Sequence, residues 1–342
     1  MKLYFKSLML FAALLLPNIT WGDTINILAV PYGNPNFSPD GQIMWKALVD
    51  TAARSDRNFQ IRAILNPDSG PGRDDKILSD RFNQYFVTDG ALAQNFIDEG
   101  GELLGYVSTL GGERLFADVT ADIDEYLART YSGKVIGVFL DDFFNDPDSE
   151  PITYYQNIYT YIQTNYPGSV IVGNTGNVGR INELSEADAL SLISPLSALV
   201  SHEMAQASYE NSFTELEEAE AFGNSNLSHI IHTAEEWDGS LLDLAVERNV
   251  GWFYTTTDDL SEGNPWDNFS ESHWNAMVNS IIAENTFLLG DVNRDQSVNF
   301  LDISPFIAVL SEGGYLEEAD INQDDAVNFL DISPFIALLS NL

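Results

Sequence analysis

The sequence predicts an α/β fold of the (β/α)8 barrel class followed by a small all-α calcium-binding module. Three observations lead there. Between residues 23 and 287 a short apolar run and a longer amphipathic stretch alternate eight times, the pattern of a parallel sheet covered by helices. Eight such units in about 265 residues match the size of a closed barrel. From Gly290 the composition changes, and an acidic segment is repeated 29 residues later. A doubly wound open sheet is the alternative for the first part, but no Gly-rich phosphate loop follows the first run.

The eight runs are INILAVPYGNP from Ile25, FQIRAILNP from Phe59, ELLGYVST from Glu102 and KVIGVFLDD from Lys134, then SVIVGNTG from Ser169, SALVSHE from Ser197, SHIIHTA from Ser228 and VGWFYTTTDD from Val250. Their apolar residues are continuous rather than alternating, as expected of parallel strands buried on both faces. The stretches between them carry helical spacing, for example Phe116, Val119, Ile123, Tyr126 and Leu127 in one and GSLLDLAVERN in another.

The fourth run ends in two acids, Asp141 and Asp142. In a barrel this end of the strand faces the mouth where active sites are built, and carboxylates there serve as acid, base or nucleophile. Taken alone, the stretch is equally readable as a solvated strand end whose acids cap the next helix. The other run ends add weight to chemistry. Tyr32 ends the first, Asn66 the second, Tyr106 the third, Asn174 the fifth, Glu203 the sixth, His232 the seventh, and Tyr254 and Asp258 the eighth, with Trp266 in the loop beyond. Carboxylates for chemistry, amides for hydroxyls and aromatic faces for rings describe a sugar site. Successive residues on a strand face opposite ways, so Asp141 and Asp142 cannot both enter the lumen unless the strand end leaves its register. Asp141 with Glu203 is the expected catalytic pair. No side-chain spacing matches a catalytic metal site, and no G-x-S-x-G elbow occurs.

Residues 1–22 combine Lys2 and Lys6 with an apolar stretch from Leu8 to Leu16 and a small-residue cleavage site, the pattern of a secretory signal peptide too short to span a bilayer. Export to the medium or cell surface is expected. Without its two lysines the chain keeps 13 basic residues against 52 acidic ones, a formal charge near −39. That charge repels nucleic acid and anionic membrane. Attraction to a cation, calcium or a polycationic glycan, and plain solubility in salt both account for it. Cysteine is absent, which excludes disulfides and thiolate metal sites.

The segments VPYGNP, ILNPDSGPG, LLGYVSTLGG, DIDEYL, GVFLDD, IIHTA and YTTTDD with NPWD, in this order over residues 25 to 280, resemble the spherulin-4-like family. The resemblance implies a secreted (β/α)8 glycoside hydrolase, endo-acting, on galactosamine-containing exopolysaccharide, with no cofactor for the barrel chemistry. It places the family's acidic doublet on Asp141 and Asp142 and its glutamate on Glu203. The second acid of that doublet is usually Glu, so Asp142 is one methylene shorter. A non-catalytic carbohydrate-binding or adhesive barrel is the rival reading.

The repeat in the tail reads DVNRDQSVNFLDISPFIAVL from Asp291 and DINQDDAVNFLDISPFIALL from Asp320. Oxygen ligands fall at loop positions 1, 3, 5, 9 and 12: Asp291, Asn293, Asp295, Asn299 and Asp302, then Asp320, Asn322, Asp324, Asn328 and Asp331. This is EF-hand calcium spacing, with Asp where a bidentate Glu is usual. One helix follows each loop, so the tail resembles a type I dockerin, which implies two Ca2+ ions and a cohesin-type partner. Position 6, normally Gly, is Gln296 and Asp325. Phe300-Leu301 and Phe329-Leu330 either face that partner or close the module's own core. The expected organisation is leader 1–22, barrel 23–287 and calcium-loop module 288–342.

Overall fold

The computed structural model describes residues 24–35, 38–144, 151–286, 288–294, 297–312, 314–324 and 326–340. The leader expected at 1–22, and Asp295, Gln296 and Asp325 in the tail, lie outside the described residues. Eight parallel strands close into a barrel in sequence order: β1 (Asn26–Ala29), β2 (Ile61–Leu65), β3 (Glu102–Ser108), β4 (Gly137–Asp141), β5 (Val170–Asn174), β6 (Ala198–Ala205), β7 (Leu227–His232) and β8 (Trp252–Thr255). Six lie inside one of the eight apolar runs; β6 continues two residues past its run, and β7 begins one residue before its own. Helices follow the strands and cover the outside, among them Pro39–Ala52, Phe116–Leu127, Pro151–Asn165, Ser240–Glu247 and Glu271–Glu284. The fold is a (β/α)8 barrel.

Close helix–sheet packing depends on small strand residues. A Cβ on Gly105 of β3 would lie 2.3 Å from the ring of Tyr126, so glycine is what lets that helix seat its tyrosine against the sheet and donate from its hydroxyl to the Leu65 carbonyl of β2. Exposed helix faces carry the charge, while Val119, Ile123 and Tyr126 face inward and are fully buried.

One irregularity decides what reaches the lumen. Asn174 of β5 is in register with Val200 of β6, and Val200 with Ser228 of β7, but the β6–β7 register then slips, so that His202 pairs with His229 and Glu203 with Ile230. Ser228 and Ile230 share a face, hence so do Val200 and Glu203, three residues apart. The extra residue is a β-bulge, a device that re-aims side chains at barrel rims. It turns Glu203 inward and His202 outward.

The tail has its own apolar cluster, centred on Phe306 and Phe335, whose rings stack at 4.2 Å between the helices Ile303–Glu312 and Ile332–Ser340. Phe300, Leu301, Phe329 and Leu330 are 74%, 68%, 82% and 66% exposed. They therefore take no part in that core. Among the described residues no helix is long and apolar enough to cross a membrane.

Candidate active site

The carboxylate of Asp141 sits at the last residue of β4, and Glu203 follows the bulge in β6. Between them stands Asn174, the last residue of β5. Its side-chain amide donates to Asp141 Oδ1 at 2.8 Å and to Glu203 Oε2 at 2.5 Å. Its own oxygen accepts from the Gly176 backbone N–H at 3.1 Å, which fixes which end of the amide faces the acids. Tyr106 on β3 donates its hydroxyl to Asp141 Oδ2 at 2.6 Å. Trp266, from the loop after β8, donates its indole N–H to Glu203 Oε1 at 2.9 Å. Two further strands and one loop thus converge on the pair, and every one of these donors is neutral.

Burial pushes the carboxyl groups of both Asp141 and Glu203 upward, and the charge of Asp142 adds to this in each, while the bonds from Tyr106, Asn174 and Trp266 pull the other way. Among the described residues no Lys, Arg or His forms an ion pair with either acid. Such a pair favours one acid protonated beside one ionised, because like charges in a buried site resist joint ionisation.

Asp142 takes a left-handed backbone with φ of 52°. The strict alternation of β4 therefore ends at Asp141, and Asp142 turns aside to accept from the Ser108 hydroxyl at 3.2 Å. Its negative charge nonetheless acts on Tyr106, Asp141 and Glu203. The kink is buttressed by Thr109, at the end of the third apolar run, and by Tyr155, which sequence reasoning did not single out. Thr109 donates to the carbonyls of Asp141 and Asp142, and its hydroxyl meets that of Tyr155 at 2.8 Å. Tyr155, on the helix after β4, also accepts from the Phe144 N–H. A tyrosine on the buried face of an amphipathic helix carries no signal of this in the sequence.

The remaining expected sugar contacts divide. Tyr32 is half-buried and meets Tyr106 edge-on at 5.8 Å. His232 lies with its ring against the edge of Trp266 at 5.7 Å, its Nδ1 paired with the Thr233 hydroxyl at 2.8 Å. Thr233 is β-branched with φ of 51°, a strained conformation of the kind that clusters at functional sites. Other residues have structural work. Asn66 accepts from Gly70 N–H within its own loop. Tyr254 is buried against Trp266. Asp258 accepts from the N–H groups of Asp259 and Asn268 with its two oxygens, pinning the loop that carries Trp266. Trp266 itself is 4% exposed, so it presents an N–H to Glu203 rather than an open ring face to solvent. His202, outward of the bulge, stacks on Phe213 and lies edge-on to Tyr209, and burial lowers its pKa to about 4.

In the tail, Asp302 and Asp331 at loop position 12 are fully buried, and Asp291 and Asp320 at position 1 nearly so. Asp302 accepts from the N–H groups of Asn293 and Asn299, and Asp331 from those of Asn322 and Asn328, closing the two loops identically. Asn299 and Asn328 also cap the following turns through Leu301 and Leu330 N–H. The left-handed backbone falls at position 4, on Arg294 and Gln323. Among the described residues no three His, Asp or Glu side chains gather as a ligand cluster; the loops offer carboxylate, amide and backbone oxygens together. Buried carboxylates in an all-oxygen loop fit a hard cation such as calcium.

A family model described as spherulation-specific family 4 matches residues 26–281, and one described as dockerin type I domain matches residues 289–340. Spherulin-4 of Physarum polycephalum is 33% identical over 129 residues, 37% of this chain and 34% of that protein. The chain thus spans about a third of that relative's length. Among solved structures, Aspergillus clavatus Sph3 in complex with GalNAc matches at a TM-score of 0.55 and 19% identity, over 77% of this chain and 99% of that one. An endo-β-N-acetylglucosaminidase from Cordyceps militaris matches at a TM-score of 0.44 and 6% identity, over 76% and 91% of the two chains.

Proposed function

Because the chain belongs to the spherulation-specific family 4, we propose that it is an exported glycoside hydrolase cleaving a galactosamine-containing exopolysaccharide at internal bonds. The observation that carries this reading is the pair of half-buried carboxylates held by a single amide at the mouth of a barrel. Glu203, whose carboxyl burial pushes upward against the pull of the Asn174 and Trp266 bonds, is assigned the general acid. Asp141, which accepts a 2.6 Å bond from Tyr106 and a 2.8 Å bond from Asn174, fits the ionised partner. The name of the GalNAc-bound fungal relative supports an amino-sugar substrate.

The same amide bears on stereochemistry. Legs of 2.8 and 2.5 Å hold the two bridged oxygens within about 5.3 Å of each other, a nearest-oxygen distance that suits the close carboxyl pairs of retaining enzymes, roughly 5–5.5 Å, better than the roughly 6.5–9.5 Å of inverting ones. In the proposed reaction Asp141 attacks the anomeric carbon as the Glu203 proton passes to the departing glycosidic oxygen. Water, deprotonated by Glu203, then releases the sugar from Asp141. Incubating the purified protein with an α-linked galactosamine polymer should give short oligomers whose new reducing ends are first seen by proton NMR as the α-anomer. First appearance of the β-anomer would remove the double displacement, and binding without any cleavage would replace the enzyme with a carbohydrate-binding barrel.

The reading extends to the whole chain as a leader over 1–22, a barrel over 23–287 and a dockerin-like module over 288–342 that holds two calcium ions and docks a cohesin-type protein outside the cell. The exposed Phe-Leu pairs are its contact surface. Each copy carries one pair, so Phe300→Ala with Leu301→Ala alone should leave partner binding within a few-fold, whereas changing all four residues should abolish it in a binding titration. Loss of binding from the first pair alone would show the copies to be unequal.

A further inference from the structure

Asn174 was expected to touch substrate; its contacts give it a different task. It is 6% exposed, sits at the end of β5 between the strands bearing the two acids, and spends each proton of its amide on a different carboxylate. An amide nitrogen donates and cannot accept. An inverted amide would aim its oxygen at two acids and lose the bond from Gly176, so the orientation is determined by its neighbours.

We infer that Asn174 is a positioning residue that couples the two acids, a donor-only bridge that fixes their separation and sets the pH window in which one is ionised and the other protonated. The groups facing the pair leave this task to it. Asp141 faces Tyr106 and Asp142. Glu203 faces the indole of Trp266, behind which stand His232, Asp258 and Asp259. Tyr32 faces both acids, a phenol whose own ionisation is held far above neutrality by burial first and by the charges of Asp141 and Glu203 after it. No cation pairs with either acid among the described residues, so their negative charge rests on neutral hydrogen bonds. Tyr106 serves only Asp141 and Trp266 only Glu203. Among the described residues Asn174 alone serves both. A donor bonded to a carboxylate favours its charged form; removing this donor must therefore raise both acids together, whereas loss of Tyr106 or Trp266 acts first on one.

This inference rests on the glycosidase reading for its kinetic consequence but not for its titration. The experiment follows the carbon-13 carboxyl resonances of Asp141 and Glu203 against pH in the full mature chain, assigned with Asp141→Asn and Glu203→Gln. In Asn174→Ala both midpoints should move upward, on the order of one pH unit, and Asn174→Ser, which keeps one hydroxyl donor, should fall between and serves as the test if the alanine variant does not fold. On a galactosamine polymer both limbs of the pH–rate profile should move to higher pH by comparable amounts. Unmoved midpoints, or movement of one acid alone, would overturn the inference even if the rate fell. Moved midpoints in a protein that cleaves no glycan would uphold it and remove the glycosidase reading instead.

Discussion

Asp141→Asn and Glu203→Gln are each expected to lower turnover of a galactosamine polymer by at least about 10²- to 10⁴-fold, the usual cost of losing a general acid, base or nucleophile. Both substitutions preserve shape, so the variants should melt within a few degrees of the parent. The two losses should also differ in kind. Glu203→Gln removes a proton donor, so a substrate with a good leaving group, such as a nitrophenyl glycoside, should recover much of the first step. Asp141→Asn removes the group that meets the anomeric carbon and should not be rescued that way. Asp142→Asn, by contrast, removes a negative charge beside the pair without removing a hydrogen-bonding partner of either acid. It should act mainly through the pH profile, shifting both limbs downward because the repulsion that raises Asp141 and Glu203 is relieved. Near-parent turnover in either Asp141→Asn or Glu203→Gln would take that residue out of the mechanism.

The second large effect belongs to the tail. Chelating calcium should unfold it while leaving the barrel's thermal transition unchanged. Four buried or nearly buried aspartates, in a segment whose apolar core is little more than Phe306, Phe335 and their neighbours, oppose the compact state until a cation neutralises them. A module of this size draws little stability from its core alone. Calorimetric titration of the chelated full chain should show uptake of two ions, and the scan should regain a separate transition as they bind. Asp302→Ala should remove one ion and Asp331→Ala the other. A scan indifferent to chelator would leave the tail a calcium-independent helical pair, and the dockerin assignment would then describe sequence without its metal.

The alternation of runs and amphipathic stretches was enough to read the barrel, because each strand is buried on both faces and each helix on one; the two patterns differ in period. The acids at the end of β4 and in β6 were legible as a pair for the same reason, since strand ends in this fold converge. Three things were not. The bulge in β6 leaves no mark in SALVSHEMA, because its extra residue is an ordinary serine or histidine in composition and only the neighbouring strands define it. The left-handed turn at Asp142 occurs without glycine, so the usual cue was missing. The roles of Asn174, Trp266 and Asp258 were assigned to sugar binding because polar and aromatic residues at a barrel mouth look alike in sequence. Only distances separate a side chain that holds a carboxylate from one that holds a hydroxyl. In the tail, the repeat made the pairing of loops plain, while the exposure of Phe300 and Phe329 had to come from the packing of the two helices against each other.

The slip in β6 makes the identity of the lumen residue a matter of parity. From Val200, an even count along an unbroken strand returns to the lumen, so position 202 would face inward and position 203 outward. The extra residue inverts that count, and histidine and glutamate exchange places. The same residues paired without the slip, position for position from Val200, would keep the composition, the hydrophobic pattern and the barrel. They would nevertheless put an imidazole where the carboxylate now stands and an acid among Tyr209, Phe213 and His229. Removing one residue between Val200 and His202 would instead abolish the bulge and leave Glu203 opposite Ile230 on the lumen face; the register of this strand, more than its composition, decides which chemistry the barrel contains.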